Sequence, residues 1–303
     1  MDTYTISFSG LSLEADFYPA SGIRRNKTIL YFHGGGLLCG SRKDLPVRYL
    51  NLFLADGYDF LAFDYPLAPE STVPQIIEAC QACLSWFLDG WQKLPGLTSP
   101  EYILFGRSAG AYLALMTAYA LSQADVHEAV RDSVLVDVQA NIQKNFRAPL
   151  GLLLFYGYHG LKEPEFSREN AYYQTSFATV TRNDAFLAVK NSPDLDTLKS
   201  PRLLLYLYAR QSGSWTSLLG SPEELASCSL SPEQLVGLPP AFLTASSTDH
   251  DVPFRISKTM SRKIPRSRFY PVYNLDHDFD SDTTQPEGRK AYEECLKWMD
   301  ETI

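Results

Sequence analysis

The sequence predicts an α/β fold, a mostly parallel central sheet covered by helices on both faces, with one long insertion. Short apolar runs, KTILYF (27–32), YILF (102–105) and AFLTASS (241–247), alternate with segments of helical period. Strands buried on both faces and joined by crossover helices read this way. The 45% hydrophobic and 13% aromatic content of the 303 residues is enough for one large core, so residues 1–303 are expected to form a single domain. Residues 161–238 break the alternation. An insertion of that length in an α/β sheet commonly lies over the carboxyl ends of the strands, and this one is expected to be a cap or lid within the domain.

The elements follow in order. Tyr4, Ile6 and Phe8, then Leu11, Leu13, Ala15 and Phe17, alternate about Ser9-Gly10 and read as an antiparallel hairpin. KTILYF is a buried strand ending in HGGG, LPVRYLNLFLAD (45–56) fits a helix, and YDFLAFDY (58–65) is another buried strand. A helix is expected over 73–90, where Ile76, Ile77, Cys80, Cys83, Leu84 and Phe87 recur at helical spacing. The strand YILF and a helix from Ser108 to Leu121 come next, then a strand over 150–156. After the insertion come AFLTASS, a helix near 252–263, the strand RFYPVYNL (268–275) and a closing helix over about 286–302.

A net charge of −8 and a pI near 5.2 argue against nucleic acid or an anionic membrane surface as partner. No apolar run approaches the ~20 residues of a spanning helix, and MDTYTISFSG lacks the basic and apolar regions of a signal peptide. Five scattered cysteines make no disulfide framework. The expected location is cytoplasmic, with no stable membrane insertion; a homo-oligomer is compatible with the sequence. Cys80 and Cys83 form a lone CxxC with no second pair to complete a zinc tetrahedron, so they read as core thiols. The stretch NLDHDFDSDTTQPE (274–287) spaces carboxylates nearly as an EF-hand loop does. Ser281 stands where that loop needs glycine, and the segment entering it is strand-like, so no metal is expected.

The strongest motif is Gly106-Arg107-Ser108-Ala109-Gly110, a G-x-S-x-G with a strand before it and a helix after. A sharp turn there lifts a serine hydroxyl above the sheet, and its glycines remove side chains that would block the turn. HGGG (33–36) follows another strand end. Backbone N–H groups of Gly35, Gly36 and Ala109 are candidates for an oxyanion hole. Asp249, just after a strand, is the preferred carboxylate to orient a histidine, with Asp251 its competitor and helix capping the alternative use of either. Of the histidines, His33 belongs to the glycine turn, His127 lies in a polar segment, His250 flanks the acid and His159 follows a strand. His277 follows the last strand, on the edge where Ser108 should lie. The order Ser108, Asp249, His277 is that of α/β-hydrolase triads.

HGGG with Gly40-Ser41, DYPLAPE (64–70), GRSAG and the late Asp and His together resemble the hormone-sensitive-lipase-like branch of the α/β-hydrolases. SPEQLVGLPPAFLTA (231–245) and the Asp249-to-Pro253 spacing of TDHDVP add to the resemblance, which covers nearly the whole chain. It implies a serine carboxylesterase or lipase without metal or organic cofactor. Ser108 would be the nucleophile, His277 the base, Asp249 its orienter, and Gly35, Gly36 and Ala109 the oxyanion hole. The sequence departs from the family at Arg107, where an acidic residue is usual, at Ala111, usually glycine, and at Pro66. Arg107 is expected to be a surface or ion-paired arginine. The expected substrate is a small-molecule ester, with short acyl chains the preferred class. An amidase, arylformamidase or peptidase would use the same triad, and a non-catalytic binding scaffold is the alternative from another class. Tyr172, Tyr173, Tyr206, Tyr208 and Trp215 of the insertion would either line a pocket or make the insertion's own core.

Overall fold

The computed structural model describes residues 1–127, 147–191 and 201–303. The strands are β1 (Asp2–Phe8), β2 (Leu11–Tyr18), β3 (Thr28–Phe32), β4 (Asp59–Phe63), β5 (Tyr102–Arg107), β6 (Leu152–Phe155), β7 (Ala241–Ser246) and β8 (Arg268–Val272). They form one sheet in the order β1-β2-β4-β3-β5-β6-β7-β8. β1 and β2 pair antiparallel, as does β2 with β4; all the pairings from β4 to β8 are parallel. The expected hairpin turns at Ser9 and Gly10, both at positive φ (+46° and +80°), a conformation that matches the twist of the flanking strands.

Helices α1 (Val47–Ala55), α2 (Val73–Gly90) and α3 (Ala109–His127) supply the first crossovers. α2 starts where expected because Pro74 fits the first turn and Gln75 accepts a hydrogen bond from the Thr72 N–H at 2.9 Å. Its Cys80 and Cys83 are fully buried on the core side, and burial pushes both thiols up. All five cysteines are free. Within residues 161–238 the described chain forms four short helices, α4 (Ala171–Ser176), α5 (Arg182–Asn191), α6 (Leu203–Ser212) and α7 (Pro222–Ser227). Helices α8 (Phe254–Lys263) and α9 (Pro286–Thr302) follow. The sheet separates two apolar clusters. One holds Ile76, Leu84, Phe87 and Leu113; the other holds Phe53, Phe105, Phe155, Tyr292 and Trp298. No helix among the described residues is long and apolar enough to cross a membrane.

β8 is shorter than the apolar run predicted. Asn274 turns to φ +60°, and side chains replace the ladder: Asn274 N–H donates to Ser247 Oγ at 3.1 Å, Leu275 N–H to Ser246 Oγ at 3.2 Å. Thr248 Oγ1 donates to the Leu275 carbonyl at 2.6 Å. Residues 273–275 therefore leave the sheet and carry the chain back toward β5.

The parallel pairing brings Phe32 opposite Gly106 and Arg107 opposite Phe155, so the loops after β3, β5, β7 and β8 emerge at one edge, where ligands of α/β sheets bind. A Cβ on Gly110 would lie 2.0 Å from the Phe32 carbonyl oxygen, so β3 and α3 meet at backbone contact. Gly110→Ala is therefore expected to lower the unfolding free energy by about 1–3 kcal/mol, read from a urea melt. Unchanged stability would mean that the contact is slack.

Candidate active site

Ser108 sits between β5 and α3 at φ +52°, a left-handed conformation that costs a non-glycine residue about 1–3 kcal/mol. Its N–H donates to the Phe155 carbonyl at 2.8 Å, which ties the strained residue to the neighbouring strand. The glycines on either side make the turn possible: a Cβ on Gly106 would lie 2.0 Å from the Gly110 carbonyl carbon.

The structure brings Ser108, His277 and Asp249 into one hydrogen-bonded chain. His277 Nε2 lies 2.8 Å from Ser108 Oγ, and Nδ1 lies 2.7 Å from Asp249 Oδ2. The Asp249 carboxylate can only accept, so Nδ1 carries the proton and Nε2 is left to accept from the serine hydroxyl. Asp249 is itself fixed, because Oδ1 accepts from the N–H groups of Asp251 and Val252, both at 2.8 Å. The carboxylate thus caps the turn before α8 and holds the imidazole with its other oxygen. Burial alone would push the His277 pKa down; the charge and hydrogen bond of Asp249, helped by Asp278 and Asp251, outweigh it and raise the pKa above its ordinary value.

The glycine loop after β3 adopts two left-handed residues, Gly35 at φ +98° and Gly36 at φ +60°. A Cβ on Gly35 would meet the Cys39 carbonyl oxygen at 2.1 Å, and one on Gly36 would meet the Tyr206 ring at 2.3 Å. Among the described residues, none accepts a hydrogen bond from the backbone N–H of Gly35, Gly36 or Ala109. His33 is held away from this chemistry: its ring stacks on Tyr65 with centroids 4.0 Å apart and its Nδ1 bonds the Gly34 carbonyl at 2.8 Å. His159 bonds the Leu230 carbonyl through Nδ1 at 2.7 Å, and the side chain of His127 lies outside the described ones.

A cleft of about 400 Å³ opens over Ser108 and His277. Tyr172, Tyr173, Phe177 and Tyr206 of the insertion line it together with Asp251, Asp276 and Asp278; no lysine or arginine is among its lining residues, although Arg107 Nη2 lies 3.9 Å from Asp278 Oδ1. The aromatic residues picked out in the sequence therefore divide. Trp215 is buried against Phe166 and Tyr158, and Tyr208 packs against the core. Asp251, the rival for the acid position, accepts from Tyr173 Oη at 2.6 Å and pairs with Arg210 Nε at 3.1 Å. It joins the insertion to the acid loop. Trp215 Nε1 donates to the Gly36 carbonyl at 2.8 Å, and Arg202 Nε to the Leu38 carbonyl at 2.9 Å, so the insertion also grips the glycine loop.

The carboxylates around His277 have separate partners. Asp276 Oδ1 accepts from the His277 N–H at 2.7 Å and lies 2.8 Å from Nδ1 of His250, whose ring stacks on Tyr172. Asp278 is exposed, whereas Asp280 is fully buried. Asp282 accepts from Thr284. These side chains do not converge as a calcium loop requires, and no group of three or more His, Cys, Asp or Glu among the described residues is placed to hold a metal ion.

Of the two expectations for Arg107, surface or ion-paired, the structure shows the second, with the residue buried against Asp280. Its Nε donates to Tyr156 Oη at 2.6 Å and its Nη2 to Asp280 Oδ1 at 2.9 Å. The sequence marks Arg107 only as a lone cation inside an apolar run; nothing in it distinguishes Asp280 from its acidic neighbours, or Asp251 from a surface cap. Removing one partner of a buried pair strands the other charge. Arg210→Met is accordingly expected to destabilise the fold by about 3–5 kcal/mol in a denaturant melt; a loss under about 1 kcal/mol would show that Asp251 is solvated without it.

The sequence profile of the alpha/beta hydrolase fold family matches residues 29–250. Among curated proteins the chain is 35% identical over 108 residues to an esterase of Mycobacterium tuberculosis, covering 35% of this chain and 33% of that protein. It is 31% identical over 144 residues to the hormone-sensitive lipase of Homo sapiens, covering 47% of this chain and 13% of the lipase. The matched region thus spans a third or less of either relative. Among solved structures, an alpha/beta hydrolase superfamily protein from Enterococcus faecalis superposes with a TM-score of 0.79 at 29% identity, over 99% of this chain and 98% of that one. With eight strands in the order found here, a serine at the strand-to-helix turn and a profile match over most of its length, the chain belongs to the alpha/beta hydrolase fold family.

Proposed function

We propose that this protein is a serine carboxylesterase acting on small, uncharged esters of short acyl chains. The observation that carries the reading is the chain Asp249–His277–Ser108, with 2.7 and 2.8 Å contacts, facing a cleft beside three N–H groups that have no partner among the described residues. His277 takes the proton of Ser108 as Oγ attacks the ester carbonyl. The N–H groups of Gly35, Gly36 and Ala109 receive the oxyanion, and the imidazolium returns its proton to the leaving alcohol. Water, activated by the same histidine, then releases the acid from the acyl-enzyme. Asp249 holds the imidazole in the tautomer that can accept, and favours the imidazolium that forms.

The described residues of the cap at 161–238 bring rings to the cleft, whose lining also carries the carboxylates of Asp276 and Asp278 and no lysine or arginine. A modest cleft of this character supports short acyl groups and disfavours substrates bearing a carboxylate near the ester. The relatives named as an esterase and a lipase support the ester bond as the one cleaved. On a panel of p-nitrophenyl esters, formyl-aryl amides and peptides, the expected preference is for acetate and butyrate esters, and Ser108→Ala is expected to lose about 10⁴-fold or more in kcat. Faster turnover of amides or peptides would overturn the bond assignment. Full activity in Ser108→Ala, or no labelling of Ser108 by a fluorophosphonate, would point to a binding scaffold.

The pH dependence follows from the raised pKa of His277. Only the neutral imidazole accepts the serine proton, so the rate climbs as pH rises through that pKa. Asp249→Asn removes the main cause of the rise and leaves burial to act alone. The acidic limb of the kcat/KM profile is expected to move to lower pH, with a rate about 10⁴-fold smaller. Asp278→Asn is expected to shift the limb in the same direction by less. A limb unmoved in Asp249→Asn would mean that another group sets it.

A further inference from the structure

Arg107 directly precedes the nucleophile, yet it does not line the cleft. Its guanidinium, on a residue only 4% exposed, makes three directed contacts: Nε to Tyr156 Oη at 2.6 Å, Nη1 to the Asp44 carbonyl at 3.2 Å, and Nη2 to Asp280 Oδ1 at 2.9 Å. Each partner reaches a different piece of the site. Asp44 Oδ2 accepts from the Gly34 N–H at 3.1 Å, beside the glycine loop, and Oδ1 accepts from Tyr31 Oη at 2.5 Å. Asp280 lies on the loop that carries His277 and also accepts from Tyr156 Oη and Tyr292 Oη, each at 2.7 Å. Tyr156, itself at φ +41°, sets its ring edge-on to the His277 ring with centroids 4.8 Å apart.

One buried cation therefore joins the turn at Ser108, the loop of the oxyanion donors and the loop of the base. We propose that Arg107 is a positioning residue, whose planar fork fixes Ser108 Oγ relative to His277 Nε2 and to the backbone donors without touching substrate. The proposal rests on the esterase reading. A lysine would keep the charge but not three donors at fixed angles, and a misplacement of about 1 Å at a reacting pair costs roughly a hundredfold in rate.

The test uses the full chain with Arg107→Lys, Arg107→Met, Tyr156→Phe and Asp280→Asn, p-nitrophenyl acetate as substrate, and a thermal melt to count folded protein. In the two Arg107 variants, kcat per folded molecule is expected to fall roughly a hundredfold with KM held within about twofold. Tyr156→Phe, which deletes one hydroxyl and keeps the ring, is expected to lose about tenfold, the equivalent of one hydrogen bond. Fluorophosphonate labelling of Ser108 should slow by the same factors. Lower melting temperatures with unchanged kcat per folded molecule would overturn the proposal and leave Arg107 a stability residue. A raised KM at constant kcat would overturn it in favour of a binding role. Should Arg107→Met fail to fold, the near-isosteric Tyr156→Phe and Asp280→Asn decide by the same readout. Retained activity in Ser108→Ala would remove the esterase reading and this proposal together, whereas activity lost there but unchanged in the Arg107 set would remove only the proposal.

Discussion

At the turn from β5 into α3 there is no room for a Cβ at Gly106 or at Gly110, and Ser108, midway between them, is held at positive φ. Everything else at this edge of the sheet is arranged around that close approach. α3 can start where it does only because its second residue lies against the backbone of β3. The contact brings the glycine loop beside Ser108 and leaves the first helical N–H, that of Ala109, unpartnered among the described residues. The helix N-terminus adds its partial positive charge at the same spot. Backbone sterics thus set the geometry first, and the side chains of the site are fitted to it.

Charge is then used in two different ways. Beneath the turn, Arg107 and Asp280 are both out of solvent and fully engaged with tyrosine hydroxyls. Burial pushes the phenol of Tyr156 far up, so it remains a donor throughout the ordinary pH range. Around the cleft Asp278 is exposed and Asp276 partly so, and no lysine or arginine lies among the lining residues. Arg107, next to Ser108, stays out of the lining itself but reaches it through Asp278, whose Oδ1 lies 3.9 Å from its Nη2, so one cation links the two sets of charges.

The sequence carried the architecture well because each strand run was bounded by glycine, proline or a polar turn, and because buried parallel strands are apolar without interruption. It overran at β8, where Tyr273 and Leu275 extend the apolar pattern past the last ladder bond. Side-chain hydroxyls of Ser246, Ser247 and Thr248, 27 to 29 residues earlier in the chain, end that strand, and only tertiary pairing reveals them. Ser108, Asp249 and His277 stood out because each follows a strand end. Asp251 and Asp280 did not, since a buried carboxylate and a solvated one look alike until their partners, Arg210 and Arg107, are brought from distant parts of the chain.

The grip of the insertion on the glycine loop bears on how a molecule enters. Trp215 holds the carbonyl of Gly36, the ring of Tyr206 rests on the same glycine, and Arg202 holds the carbonyl of Leu38. A hinged movement of these residues away from the sheet would strip the buried polar groups of their partners and pull on the glycine loop beside Ser108. Tyr172 and Phe177, partly buried in the cleft's lining, take no part in these contacts, so the side chains free to yield to an entering molecule are rings and not the frame that holds the glycine loop.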